Sequence, residues 1–118
     1  MKILLIDDDG CQLQWCSSQL EERGYEVMTA FSGEHGLHLY QTRGPWEFVL
    51  SDYLFVPSRR IRNGLDLVRE IRTINPEQRI AIHTSAEDLK APVPVLHKPY
   101  PIGRLLRLLR ELPKRLAV

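Results

Sequence analysis

The sequence predicts a doubly wound α/β fold built on a five-stranded parallel sheet. Short continuous apolar runs of strand length alternate with segments of helical period, as in strands buried on both faces and joined by crossover helices. Helix-capping residues and Gly or Pro breakers separate them. Acidic, hydroxyl and basic residues stand immediately after the apolar runs, at the strand ends where open α/β sheets bind their ligands.

Taken in order, Lys2 to Ile6 reads as the first strand. Gln12 to Arg23 carries Leu13, Cys16 and Leu20 at helical spacing and ends at Gly24. Tyr25 to Thr29 makes a second strand, and Ser32 caps a second helix running through Tyr40, with Gly44 and Pro45 as breakers. Phe48 to Ser51 is the third strand. Asn63 caps a third helix whose Leu65, Leu67, Val68 and Ile71 turn inward, closed by Asn75-Pro76. Ile80 to His83 and Val93 to His97 complete the sheet. The last segment, Ile102 to Leu116, places Ile102, Leu105, Leu106, Leu109 and Leu112 on one stripe.

Length and composition bound the function. The 118 residues suit one domain, 1–118, that buries about two-thirds of its unfolded surface. With 43% hydrophobic and 26% charged residues, the chain is an ordinary globular sequence. A net charge of +1 gives no global electrostatic case for nucleic acid or membrane. Cys11 and Cys16 lie roughly 140° apart around one helix, poorly placed to bridge. The expectation is therefore a reduced, cytoplasmic protein without a membrane span, with metal and redox roles for the thiols disfavoured.

Asp7 and Asp8 follow the first strand, Asp52 the third, Thr84 the fourth and Lys98 the fifth, so all converge on one sheet edge. Three carboxylates gathered there repel one another unless a cation joins them. Mg²⁺, held by one or two carboxylates plus waters and phosphate, suits an open acidic cluster better than a closed cage. One carboxylate can then attack a phosphoryl donor, and Lys98 with the Thr84 hydroxyl complements the anionic group in transfer. Separately, each residue has a plainer reading: helix N-cap for the aspartates, turn residue for Asp52, snorkelling lysine for Lys98. Their convergence favours a shared site. Ser85 competes with Thr84 for the hydroxyl role, and the register counted from Pro76 favours Thr84.

Ile6-Asp7-Asp8, Ser51-Asp52, Thr84 and Lys98-Pro99, in this order and each at a strand end, resemble the receiver domain of two-component response regulators, over nearly the whole chain. The resemblance implies a flavodoxin-like strand order 2-1-3-4-5. It implies Asp52 as phosphoacceptor, Asp8 as a direct Mg²⁺ ligand, Asp7 holding the ion mainly through water, and the Leu54 backbone carbonyl as a further ligand. Thr84 and Lys98 bind the phosphoryl group, and the peptide before Pro99 is cis. The implied partners are a sensor histidine kinase or phosphotransfer protein and a downstream protein, with no direct nucleic-acid contact. The implied activity is at most self-phosphorylation and self-dephosphorylation. Two alternatives stand beside this: a phosphorylation-independent interaction module, and an Mg²⁺-dependent phosphatase with an aspartyl intermediate, for which Asp7 and Asp9 have the spacing.

The chain departs from the family in three places. The connection from Tyr53 to Asn63 is longer than usual and carries Arg59, Arg60 and Arg62, candidates for contact with an anionic donor or partner beside a plain solvated loop. After Thr84 roughly eight residues remain before the fifth strand, too few for a parallel crossover of a dozen or more, so the helix expected there is reduced to a turn or missing. Val95 stands where the family usually has a switching aromatic. Asp9 is read as solvent-facing, His35 and His38 as surface residues, and His83 and His97 as packed beneath a helix, facing away from Thr84 and Lys98. The basic side of the last helix, Arg104, Arg107, Arg110, Lys114 and Arg115, is read as a solvated face.

Overall fold

The computed structural model describes residues 2–55 and 58–111, in the order β1 (Lys2–Ile6), α1 (Gly10–Glu21), β2 (Glu26–Ala30), α2 (Gly33–Arg43), β3 (Phe48–Asp52), α3 (Gly64–Ile74), β4 (Ile80–Thr84), β5 (Val95–His97), α4 (Ile102–Glu111). All strand pairings within the sheet are parallel and the order is β2-β1-β3-β4-β5. The doubly wound expectation holds, and most boundaries fall within one or two residues of the reading. The stripe residue Leu112, and Lys114 and Arg115, lie outside the described residues.

Strand alternation divides the core in two. Leu4, Ile6, Val49, Ile80 and Ile82 face α2 and α3 and meet Leu37, Leu67, Val68 and Ile71. Ile3, Leu5, Phe48, Leu50 and Ala81 face α1 and α4 and meet Leu13, Cys16, Leu20, Leu105 and Leu109. Each β-strand side chain serves one layer, so the central strands must be apolar on both faces and read as uninterrupted runs. Burying each such large side chain contributes about 1.5–3 kcal/mol.

Capping fixes where the helices start. Asp9 Oδ1 accepts from the Cys11 and Gln12 amides at 3.0 and 3.3 Å, starting α1 two residues earlier than the apolar spacing indicates. Asp9 is exposed as expected, but it has this local task as well. Ser32 accepts from His35 N at 3.1 Å and Asn63 from Asp66 N at 3.1 Å, as the sequence signals require. Gly24, at φ +87°, ends the turn after α1 in the left-handed region that favours glycine.

No helix joins β4 to β5. The stretch 85–94 makes one turn at Glu87 and Asp88, where Asp88 has φ +57°. Leu89, Ala91 and Val93 then pack onto the α3-side core, doing part of the covering that a crossover helix would do. β5 is shorter than expected and begins at Val95 rather than Val93. Pro92 and Pro94 have no amide hydrogen to donate, so regular pairing starts beyond them.

Candidate functional site

The parallel register builds the site. Ile6 pairs with Ser51, and Asp52 pairs with His83, so Asp7, Asp52 and His83 stand at one level on the α1–α4 face of the sheet. Asp8 extends the cluster outward from Asp7. Carboxylate oxygens of Asp7, Asp8 and Asp52 lie within 4.8 Å of one another. Asp7 is fully buried, Asp52 is 7% exposed and Asp8 faces solvent, so the group grades from interior to surface.

Lys98 reaches the carboxylates from the end of β5. Its Nζ lies 2.7 Å from Asp7 Oδ2 and 3.4 Å from Asp52 Oδ1. The lysine therefore sits nearer Asp7 than Asp52, whereas the resemblance implies that before transfer it pairs with Asp52. The peptide between Lys98 and Pro99 is cis, as expected, and a second cis peptide precedes Pro45. Thr84 is buried, and its Oγ1 accepts from Ala86 N at 3.0 Å, which leaves the hydroxyl proton free to donate elsewhere. Asp8, Asp52, Leu54, Thr84, Ser85 and Lys98 line a common cleft of about 410 Å³. Thr84 and its competitor Ser85 both border it, Ser85 as the exposed one of the two. Leu54 bridges to Asn63 across the loop while its side chain stands 57% exposed.

The electrostatics of the two buried aspartates diverge. Burial pushes Asp52 up, the charge of Asp7 pushes it further, and Lys98 only partly offsets them, leaving its pKa at about 6. Burial acts on Asp7 in the same sense, but the His83 and Lys98 contacts and the Asp9 amide outweigh it and hold Asp7 well below the usual carboxylate range. An acidic pair so divided is short of positive charge. A hard cation answers that deficit with the oxygen donors present, so the residues fit Mg²⁺.

The reading of His83 and His97 needs correction. His97 is exposed rather than packed beneath a helix. His83 is buried, but it shares the face of Asp7 and Asp52: its Nε2 lies 3.0 Å from Asp7 Oδ2, and its Nδ1 2.7 Å from the Tyr100 hydroxyl. His83 does point away from Thr84, its strand neighbour. The placement next to Asp7 follows from pairing with Asp52 on β3, and the only sequence signal for it is that strand register. Tyr100 was missed altogether because it lies beyond the strand, after the Lys98-Pro99 turn.

The arginines stand apart from the acidic cleft. Arg60 Nε donates to Glu70 at 2.8 Å and Arg62 Nε to Asp66 at 3.2 Å, turning both toward α3, where Arg59 borders the same shallow cleft. His35, His38, Arg104, Arg107 and Arg110 are exposed, as read. Cys11 and Cys16 are both free thiols. Among the described residues no helix is long and apolar enough to cross a membrane.

Known proteins place this geometry in a family. The chain is 28% identical over 123 residues to the transcriptional regulatory protein CusR of Escherichia coli K12, an alignment covering 98% of this chain and 52% of that protein. It is 32% identical over 82 residues to the photosynthetic apparatus regulatory protein RegA of Rhodobacter capsulatus, covering 70% and 42%. It thus spans about half the length of the curated relatives it matches, or less. Among solved structures it superposes with a TM-score of 0.81 on a response regulator receiver domain protein from Clostridium thermocellum, at 30% identity and covering 92% and 90% of the two chains. The same score relates it to the response regulator TrrA of Thermotoga maritima, solved in complex with Mg²⁺-BeF, at 25% identity and covering 95% and 98%. The family model of the response regulator receiver domain matches residues 3–109, and this chain belongs to that family.

Proposed function

We propose that this chain is a cytoplasmic phosphoacceptor signalling domain in which Asp52 takes a phosphoryl group from a sensor histidine kinase or phosphotransfer protein. Phosphorylation then changes what a downstream protein binds. The observation carrying this reading is the set of three carboxylates within 4.8 Å of one another, with the Lys98 ammonium 3.4 Å from Asp52. We read residues 1–118 as one such domain. Asp7, Asp8, Asp52 and the Leu54 backbone carbonyl would hold Mg²⁺, which when bound neutralises the carboxylates and the anionic phosphoryl oxygens.

The chain's own groups divide the remaining work. An Asp52 carboxylate oxygen bonds to phosphorus as the bond from phosphorus to the donor breaks, giving an acyl phosphate. Lys98 donates to a phosphoryl oxygen, and so does the Thr84 hydroxyl, whose oxygen is already oriented by the Ala86 amide. Asp9, committed to capping α1, has no part in an acid step, which disfavours the phosphatase alternative. The test is incubation with Mg²⁺ and a small phosphodonor, read by intact-mass spectrometry. A single phosphoryl adduct supports the proposal, and no adduct at saturating Mg²⁺ and donor overturns it.

The acyl phosphate is expected to be long-lived. Leu54 and Ala86, two residues beyond Asp52 and Thr84, have no side-chain group that can orient water. Leu54→Asn places an amide at the mouth of the cleft and is expected to speed hydrolysis severalfold in a phosphate-release assay. An unchanged or slower rate would show that water access is governed elsewhere.

The output surface also differs from the usual one. With no helix between β4 and β5 and Val95 in the aromatic's place, the adaptable element beside Asp52 is the connection 53–63. Amide hydrogen exchange with Mg²⁺ and beryllofluoride is expected to show new protection in this connection. Protection confined to 89–100 would refute that route. No change anywhere would favour the constitutive interaction module, which the missing helix makes a physical alternative.

A further inference from the structure

A buried hydrogen-bond chain runs from α1 to the acidic cluster. Gln12 Nε2 donates to the Cys16 thiol at 3.3 Å and to the Tyr100 hydroxyl at 3.4 Å, and Cys16 Sγ lies 3.4 Å from the same hydroxyl. The Tyr100 hydroxyl lies 2.7 Å from His83 Nδ1, and His83 Nε2 lies 3.0 Å from Asp7 Oδ2. The second contact is close but off the line of a hydrogen bond, and among the described residues Nε2 has no hydrogen-bond partner. Tyr100, His83 and Cys16 are all buried, so none of these groups exchanges its partner for water freely.

Burial disfavours the imidazolium, and for the neutral ring only one arrangement of protons keeps a nitrogen lone pair off the Asp7 carboxylate. Asp7 is ionised and accepts only, so the ring nitrogen facing it must carry the hydrogen. Nδ1 is then an acceptor, and the Tyr100 hydroxyl must donate to it. Gln12, and the thiol where it donates, supply the tyrosine oxygen. Asp7 meanwhile takes the Lys98 ammonium on Oδ2 and the Asp9 amide on Oδ1 at 2.9 Å, so both its oxygens are held.

We infer that Tyr100 and His83 are positioning residues: Tyr100 donates to His83 Nδ1 and so reinforces the Nε2–H tautomer that Asp7 favours, and His83 holds the Asp7 carboxylate in place for a divalent cation. The inference rests on the proposed Mg²⁺ site, but its first consequence is independent of metal. Without the tyrosine hydroxyl, His83 can place its hydrogen on Nδ1 and turn a bare nitrogen lone pair toward the Asp7 carboxylate. No proton is gained or lost in that change. Partners that orient a metal-binding group in this way typically alter metal affinity by about 10–100-fold when removed.

Long-range ¹H–¹⁵N spectra of the metal-free protein at neutral pH, together with calorimetric titration with MgCl₂, test this on the full chain. The wild type is expected to show His83 wholly as the Nε2–H tautomer and Tyr100→Phe a mixture, with Mg²⁺ bound about tenfold more weakly by the variant. His83→Leu is expected to lose as much or more. His83→Gln, whose amide nitrogen can take the place of Nε2, is expected to recover most of the affinity, a rescue that a purely packing role would not produce. An unchanged tautomer in Tyr100→Phe with Mg²⁺ affinity within twofold of wild type overturns the inference. So does a His83→Gln variant as weak as His83→Leu. Absence of Mg²⁺ binding by the wild type itself would instead overturn the proposed function.

Discussion

Asp52→Asn is expected to abolish phosphoryl incorporation and, at the same time, to make the metal-free protein more stable. The first effect is the loss of the attacking oxygen, read as no mass adduct after incubation with Mg²⁺ and donor. A stoichiometric adduct on Asp7 or Asp9 in this variant would overturn the acceptor assignment. The second comes from electrostatics. Asp52 is raised from 3.8 to about 6 in the folded protein by burial and by the charge of Asp7. The folded state therefore binds this proton more tightly than the unfolded chain, and stability is lost as pH rises from about 4 through about 6. At pH 7 the whole penalty is present. A neutral amide of the same shape removes it, while Lys98 keeps its shorter contact with Asp7. The expected gain in the presence of chelator is on the order of 1–3 kcal/mol at pH 7, shrinking toward pH 4. Urea unfolding at the two pH values measures it, and a gain at pH 4 as large as that at pH 7 would count against this cause.

Gly64→Ala is expected to lose about 2–4 kcal/mol of stability, as in severe overpacking, and most phosphoryl incorporation with it. Gly64 opens α3 directly against the strand that ends in Asp52, and its amide donates to the Tyr53 carbonyl at 2.6 Å. A Cβ there would overlap the Asp52 carbonyl oxygen and stand 3.0 Å from Tyr53 Cα. These are backbone atoms, so no side-chain rotation relieves the overlap. Either α3 moves away from β3 or the end of β3 shifts, and the second displaces Asp52 itself. Gly10→Ala is the control, because a Cβ at that helix start meets nothing within 4 Å. Equal melting temperatures for Gly64→Ala and wild type would show that this junction has more room than its backbone contacts indicate.

The missing crossover helix illustrates how far local chain length reaches. Roughly eight residues interrupted by Pro92 cannot form a helix and return to the sheet, a limit of contour length that is independent of packing. What those residues do in its place, with Leu89, Ala91 and Val93 laid on the α3-side core, depends on contacts far away in sequence. Arg60 and Arg62 show the converse. Their position beside Asp52 in the chain suggests an anion-facing loop, yet Glu70 and Asp66 on α3 draw them aside.

By itself the sequence determined the alternation of strands and helices, the caps Ser32 and Asn63, and the gathering of Asp7, Asp8, Asp52, Thr84 and Lys98 at one edge. These follow from local rules: side-chain period, capping chemistry, and the binding of ligands at parallel strand ends. Only the tertiary structure decided that Lys98 lies closer to Asp7 than to Asp52, and that His83 and Tyr100 join the acidic cluster. A shift of one residue in the β3–β4 register would place Thr84 rather than His83 opposite Asp52 and send the imidazole to the other layer. Tyr100 reaches His83 because the segment between β5 and α4 lies against α1, where its ring meets Trp15 and its hydroxyl meets Gln12 and Cys16. Register and helix docking are set by how both core layers fill, a property of the assembled sheet that no local run of residues carries.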